Sequence, residues 1–322
     1  MAKNPYVVRI FHPEDAIVCH TSGGPLEVRD FLEPVNPGLK DEITCMMFSE
    51  IGDATNVNYH QHGAGLEVFI PTRGKTEIAA QGQITYMIPG DLFVIQPYMS
   101  HSFRAVEPNS DFMCLFQDFD MIQSIEKRSY FMKNFPGKYE NDKEFHEYYN
   151  SETKGSMDRM IPEPIPAPRE KVFCLRRKGT GLFEYHYPGI DLYLKAGRWE
   201  THGINEYWEA DMKKGVTVSW GELRKEWRLF YVYEGVVDFD VNGEKFTVDE
   251  PALVRIPPFH PFTMRAVKDA CVFDLDCPAL LHSMLEELGD PAKKRWPQDP
   301  AECREFMHRF NCYITDFDYK PE

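Results

Sequence analysis

The chain has 322 residues and a formal charge of −15, which argues against nucleic acid as a partner, because a phosphate-binding surface needs clustered Lys and Arg. Its 43% hydrophobic and 14% aromatic residues are ample for well-filled cores, and its length favours two domains of about 100–150 residues over one. No apolar run approaches the ~20 residues that span a bilayer, and Met1-Ala2-Lys3-Asn4-Pro5 carries no signal core, so a cytoplasmic protein without a membrane partner is expected.

In chain order, Tyr6 to about Pro37 is irregular with short apolar runs, as leading strands that cover or extend a first β-unit would be. Ile43–Ile51 reads as a strand and enters, through the polar turn Gly52-Asp53-Ala54-Thr55, a strand carrying His60. Lys75–Ala80, a turn at Gln81-Gly82, Gln83–Ile88, a corner at Pro89-Gly90-Asp91, Leu92–Gln96 and Asp111–Phe119 continue the series. Short strands at this spacing, punctuated by Gly and Pro, predict an all-β barrel or sandwich of jelly-roll type. From Met121 to about Arg169 the composition turns charged and aromatic. Short helices are expected over Ser124–Phe135 and Asp142–Tyr149, then a stiff connector through Pro162, Pro164, Pro166 and Pro168.

The stretch Asn58–Phe103 carries the chemistry. It holds His60-Gln61-His62, Glu67 and Gly74, then Gly90, Pro97 and His101-Ser102-Phe103. His-x-His on a strand sends both imidazoles to one face, and a carboxylate with a third imidazole inside a barrel would be costly to desolvate without a compensating cation. The pattern H-x-H-x4-E-x6-G with G-x5-P-x3-H-x-F resembles the two sequence motifs of the cupin superfamily. That resemblance implies a small antiparallel β-barrel in which His60, His62, Glu67 and His101 ligate one divalent metal ion. Phe103 and Gln117 are expected to line the pocket, and Arg104, three residues past His101, to lie on the surface.

The second half repeats the first. Gly235 follows Gly74 by 161 residues, Gly243 follows Gly82 by 161, and His260 follows His101 by 159. Val236–Val241 and Glu244–Val248 around Asn242-Gly243 form a hairpin whose turn suits type I′ geometry. The resemblance thus extends to two cupin domains, a bicupin. The expected organisation is an N-terminal barrel over 1–120, a connector over 121–170, a C-terminal barrel over 171–277 and a helical segment over 278–322. At the same offset Gly221, Leu223 and Arg228 stand opposite His60, His62 and Glu67, so the second barrel is expected to hold no metal. His260 marks its degenerate site and, beside Pro257, Pro258 and Pro261, reads better as a hydrogen-bonded structural residue. Trp199, Trp208, Trp220 and Trp227 either fill this barrel or face the first domain. Pro278–Leu288, with Leu281, Leu285 and Leu288 on one face and Gly289 at its end, and Pro300–Phe310 read as helices.

The eight cysteines are scattered with no C-x2-C pair, and Cys45 and Cys114, in apolar runs, read as buried reduced thiols. Three neutral imidazoles and a carboxylate suit one Fe(II) ion per chain, with Mn, Ni, Co or Zn as substitutes. The resemblance implies a dioxygenase acting on a small oxygen-rich chelating substrate, with Glu67 also able to serve as a base. The alternatives are an isomerase, decarboxylase or lyase of a sugar acid or keto acid, and a non-catalytic small-molecule binder. Sheet edges left by such barrels favour pairing between copies, so a homo-oligomer is expected.

Overall fold

The computed structural model describes residues 9–11, 17–20, 26–30, 44–50, 56–60, 66–116, 134, 174–201, 203, 205–221, 228–249, 251–277, 280–288, 296–297 and 299–320. The expected helices Ser124–Phe135 and Asp142–Tyr149 and the proline connector lie almost wholly outside them. The chain divides into two compact units, Pro13–Lys178 and Met1–His12 with Gly179–Glu322. No helix of the described residues is long and apolar enough to cross a membrane.

Pro13–Lys178 contains two antiparallel sheets. The larger runs Cys174–Arg176, Leu92–Ile95, Glu67–Arg73, Asp111–Phe116, Thr44–Glu50, Leu26–Asp30 and Ile17–His20; the smaller runs Asn56–His60, His101–Ala105, Thr76–Ala80 and Gln83–Met87. Alternation decides what each strand gives the core. Phe69, Ile78, Phe93, Ile95, Phe103, Phe112 and Cys114 form one buried cluster. Its centre is a set of edge-to-face rings: Phe69 lies 5.6 Å from Phe103 and 4.9 Å from Phe112, and Phe103 lies 5.0 Å from Phe112.

The other unit repeats this plan. Its larger sheet runs Arg9–Phe11, Ala252–Ile256, Arg228–Glu234, Ala270–Cys277, Glu206–Met212, Ile190–Ala196 and Glu184–Tyr187; its smaller runs Glu244–Asp249, Val236–Val241, Phe262–Ala266, Val216–Trp220 and Ile314–Tyr319. The duplication reaches the backbone angles. Gln81-Gly82 and Asn242-Gly243 both turn with positive φ, and Tyr98 at φ 62° matches Phe259 at φ 64°, conformations that L residues rarely adopt unless the surrounding fold fixes them.

Two features depart from the sequence reading, and the tryptophans partly follow it, Trp227 lying outside the described residues. Arg9–Phe11 pairs with Ala252–Ile256 of the second unit, and Cys174–Arg176 pairs back onto Leu92–Ile95 of the first. The C-terminal segment is more than helical, since after the helices Leu281–Leu288 and Pro300–Phe310 it returns as strand Ile314–Tyr319 against Val216–Trp220. Among the tryptophans, Trp208 and Trp220 fill the second core, whereas Trp199 is exposed. The longer helix begins as its sequence dictates: Asp299 accepts hydrogen bonds from the amides of Ala301 and Glu302, Pro300 fills the first turn, and Asn311 closes the end in the left-handed region.

Candidate metal centre

Glu67 opens strand Glu67–Arg73 of the larger sheet, and His101 opens strand His101–Ala105 of the smaller one. Period-two alternation puts Glu67 on the same face as Phe69, and His101 on the same face as Phe103, so both point into the core between the sheets. There His101 Nε2 lies 2.9 Å from Glu67 Oε2, with both side chains almost wholly buried. The other ring nitrogen, Nδ1, lies 2.9 Å from the Met99 carbonyl oxygen. A carbonyl only accepts, so Nδ1 carries the proton, as in a metal-ligating histidine oriented by a backbone carbonyl. The other nitrogen, Nε2, then faces a carboxylate oxygen. Groups at that separation need a proton or a cation between them. Donors bound cis to an octahedral ion at about 2.1 Å each lie roughly 3 Å apart, so the observed spacing fits a shared metal.

The second oxygen of Glu67 is held as well. Cys114, on the neighbouring strand Asp111–Phe116, donates its thiol to Glu67 Oε1 at 3.1 Å. This contact leaves Oε2 for the imidazole side and fixes the carboxylate plane. Cys114 is a buried thiol outside any disulfide, as its apolar run suggests. Its contact with the carboxylate was missed, although a strand neighbour of Glu67 on the inward face was a signal for it.

The remaining expected residues divide as follows. His60 is the last residue of Asn56–His60 and the backbone partner of His101 in the antiparallel ladder, so the two occupy paired register positions at one end of the barrel. His62 and Gln117 lie outside the described residues. Phe103 is 5% exposed and packed into the ring cluster with Phe69 and Phe112, and Phe69 also lies 6.3 Å from the His101 imidazole. Arg104 is a surface residue, as expected, with a bidentate pair to Glu77.

The second unit shows what replaced these donors. The pairing Trp220 with Phe262 corresponds to His60 with His101, since Phe262 also pairs with Val241 as His101 does with Ala80. Phe262 therefore occupies the position of His101, and Trp220, rather than Gly221, that of His60. His260 is displaced by two residues and aligns with Met99; the sequence offset of 159 had slipped within a proline-rich turn. Its Nδ1 lies 2.7 Å from the Pro258 carbonyl oxygen, a local structural bond.

Arg228 stands where Glu67 does, and Asp274 where Cys114 does. The Arg228 guanidinium makes a bidentate pair to Asp274, with Nε 2.9 Å from Oδ2. It also lies 4.4 Å from the centre of the Trp220 ring and 5.2 Å from that of Phe230. A fixed organic cation, balanced by a carboxylate and faced by aromatic rings, sits at the position from which the first unit offers the Glu67 carboxylate.

One further group among the described residues has donor atoms close enough for a metal: Glu209, Asp211 and Cys271, all within 4.8 Å of one another. It lies on the face of its sheet opposite Trp208, Ala210 and Met212. Burial pushes the Glu209 carboxyl up and Lys195 pulls it back. Glu209 already accepts from buried Lys195 Nζ at 2.5 Å and from the Gly179 amide at 2.9 Å. The ammonium supplies the compensating charge, so the cluster is a weaker metal candidate than the Glu67–His101 pair.

Two antiparallel jelly-roll units in tandem, related by a constant register, define a bicupin fold. No protein-family model matches the sequence, and no curated protein matches it. Solved structures do. Salicylate 1,2-dioxygenase from Pseudaminobacter salicylatoxidans is 11% identical, with 89% of this chain and 87% of that one covered at a TM-score of 0.58. The same enzyme with gentisate gives 12%, 89%, 84% and 0.56. A Bacillus subtilis oxalate decarboxylase mutant is 14% identical over 82% of this chain and 76% of that one, at a TM-score of 0.53.

Proposed function

We propose that the chain is a metal-dependent bicupin enzyme of the dioxygenase type, with its single metal centre in the Pro13–Lys178 unit. The observation that carries this reading is the buried Glu67–His101 contact, with Nε2 2.9 Å from Oε2 and Nδ1 oriented by the Met99 carbonyl. His60, the ladder partner of His101, and His62, two residues on, would complete the set. These four residues would hold a divalent ion, Fe(II) by preference, which would supply Lewis-acid and redox chemistry to a chelating substrate.

The protein's own residues have definable tasks. Met99 holds His101 in one tautomer. Cys114 holds Glu67 Oε1 and so orients the carboxylate, whose Oε2 faces His101 and would ligate the ion or take a proton from an acidic substrate hydroxyl. Phe69 and Phe103 present an apolar wall beside His101 that excludes water. A small aromatic or enolic substrate with adjacent oxygens suits such a site, in line with the salicylate and gentisate of the structural neighbour. The oxalate decarboxylase neighbour favours a second reading, metal-assisted decarboxylation or isomerisation of a small keto or sugar acid without net consumption of oxygen.

Metal analysis of the purified chain should give about one equivalent, falling below roughly a tenth in His101→Ala and Glu67→Ala proteins that remain folded. Full metal content in either variant would refute the centre. Oxygen uptake with gentisate, catechols and β-diketones, set against anaerobic turnover of oxalate and keto acids, then separates the two readings.

A further inference from the structure

The second barrel contains a cavity lined at positions where the first carries phenylalanine rings. By register, Phe230 corresponds to Phe69, Met264 to Phe103 and Val272 to Phe112. Where three interlocked phenylalanine rings close the first core, the second has one ring, a thioether and a short branched side chain. Phe230, Met264 and Val272 all line a cavity that admits the centre of a water-sized sphere over about 40 Å³, several times the roughly 10–15 Å³ that one water requires. Trp208, Trp220 and Phe317 supply further aromatic wall, and Leu281 of the helix Leu281–Leu288 covers part of it.

Three properties define what would fit. The lining is almost entirely apolar, so bound water would find few partners and an apolar molecule is favoured. The only ionisable carboxylate on the wall, Asp274, is engaged by Arg228, and no Lys, Arg or His lines the cavity, so neither an anion nor a cation finds a spare counter-charge. Trp220 is 6% exposed, and its buried indole N–H has no acceptor among the described residues; a buried donor left unmatched is unfavourable. We propose that this cavity is a metal-independent binding site for a small uncharged molecule of about one ring with a single hydrogen-bond acceptor, such as an aryl ketone or aldehyde, whose acceptor meets Trp220. The position that became a metal centre in one copy has become an apolar receptor site in the other.

Acetophenone is a suitable probe, with benzoate as its anionic and toluene as its acceptor-free analogue, each titrated calorimetrically into the full chain. Acetophenone should bind once per chain, at least tenfold more tightly than benzoate, and equally well with chelator or in His101→Ala protein. Val272→Phe, which restores the residue of the first barrel, should abolish binding while holding or raising the melting temperature; Met264→Phe serves if that variant does not fold. Trp220→Phe should weaken acetophenone about five- to tenfold, the range of one hydrogen bond, and leave toluene unchanged. The proposal is overturned if acetophenone shows no saturable binding, if the filling variants bind it normally, if benzoate binds as well, or if binding disappears with His101→Ala, which would place the probe in the first barrel.

Discussion

Replacing Glu206 by glutamine isolates a carboxyl whose protonation the fold shifts in a calculable direction. Glu206 is 2% exposed. Its Oε2 accepts from Trp208 Nε1 at 2.9 Å and from the His282 amide at 3.0 Å, at the start of the helix Leu281–Leu288. A negative charge at a helix N-terminus is favourable by roughly 0.3–1 kcal/mol, and both hydrogen bonds favour the anion as well. Burial opposes them and prevails, raising the pKa from 4.5 to about 7. The folded carboxyl thus holds its proton more tightly than the unfolded one. Stability from this group is fully present below the unfolded value, falls as pH rises through the interval, and is lost above the folded value. The interval corresponds to an upper limit of about 3 kcal/mol. Glutamine keeps an acceptor oxygen for both donors and carries no charge. Glu206→Gln should therefore match the wild type near pH 5 and exceed it by about 2–3 kcal/mol at pH 8, measured by urea unfolding at intervals between. A difference that does not grow with pH, or a variant less stable at pH 8, would refute the balance of burial over helix dipole.

Cys114→Ala should weaken metal binding by about tenfold in a chelator competition, because the carboxylate loses the donor that orients it, and Cys114→Ser should restore most of the affinity. Lys195→Met should cost about 3–5 kcal/mol in chemical denaturation by leaving Glu209 as an unpaired buried charge, whereas Lys195→Met with Glu209→Leu should recover most of that loss; equal effects of the single and double changes would contradict the pairing.

The duplication was legible because it rests on residues with no substitute in their conformations. Gly74 and Gly235, and the Gln81-Gly82 and Asn242-Gly243 turns, require positive φ in both halves, and positive φ restricts residue choice. Glu67 and His101 were singled out by their resemblance to a motif pair, and the structure puts the two side chains 2.9 Å apart. Partner choice at long range was not legible. Arg9–Phe11 and Cys174–Arg176 are three-residue strands, too short to show any period, and each pairs with a strand far away in sequence. The misplacement of His260 has the same root. A proline-rich turn carries no alternation to anchor the alignment, whereas the ladder between Phe262 and Val241 fixes it to the residue.

The register shift changes the interpretation of the second barrel. Had His260 been the relic of a ligand, that barrel would be a metal site in decay, with Arg228 an accidental replacement. With Phe262 and Trp220 at the histidine positions, the substitutions form one coherent set. A guanidinium stands in place of the Glu67 carboxylate, Asp274 in place of a thiol neutralises it, and the histidine positions hold aromatic rings, of which Trp220 lies 4.4 Å and Phe262 6.0 Å from the guanidinium carbon. Removing one member would leave a buried charge without its partner, which typically costs 3–5 kcal/mol, so the set is expected to persist or be replaced as a unit. Arg228→Met with Asp274→Leu should accordingly be less harmful than either change alone, and a double-mutant cycle giving no coupling would show that the two residues do not depend on each other.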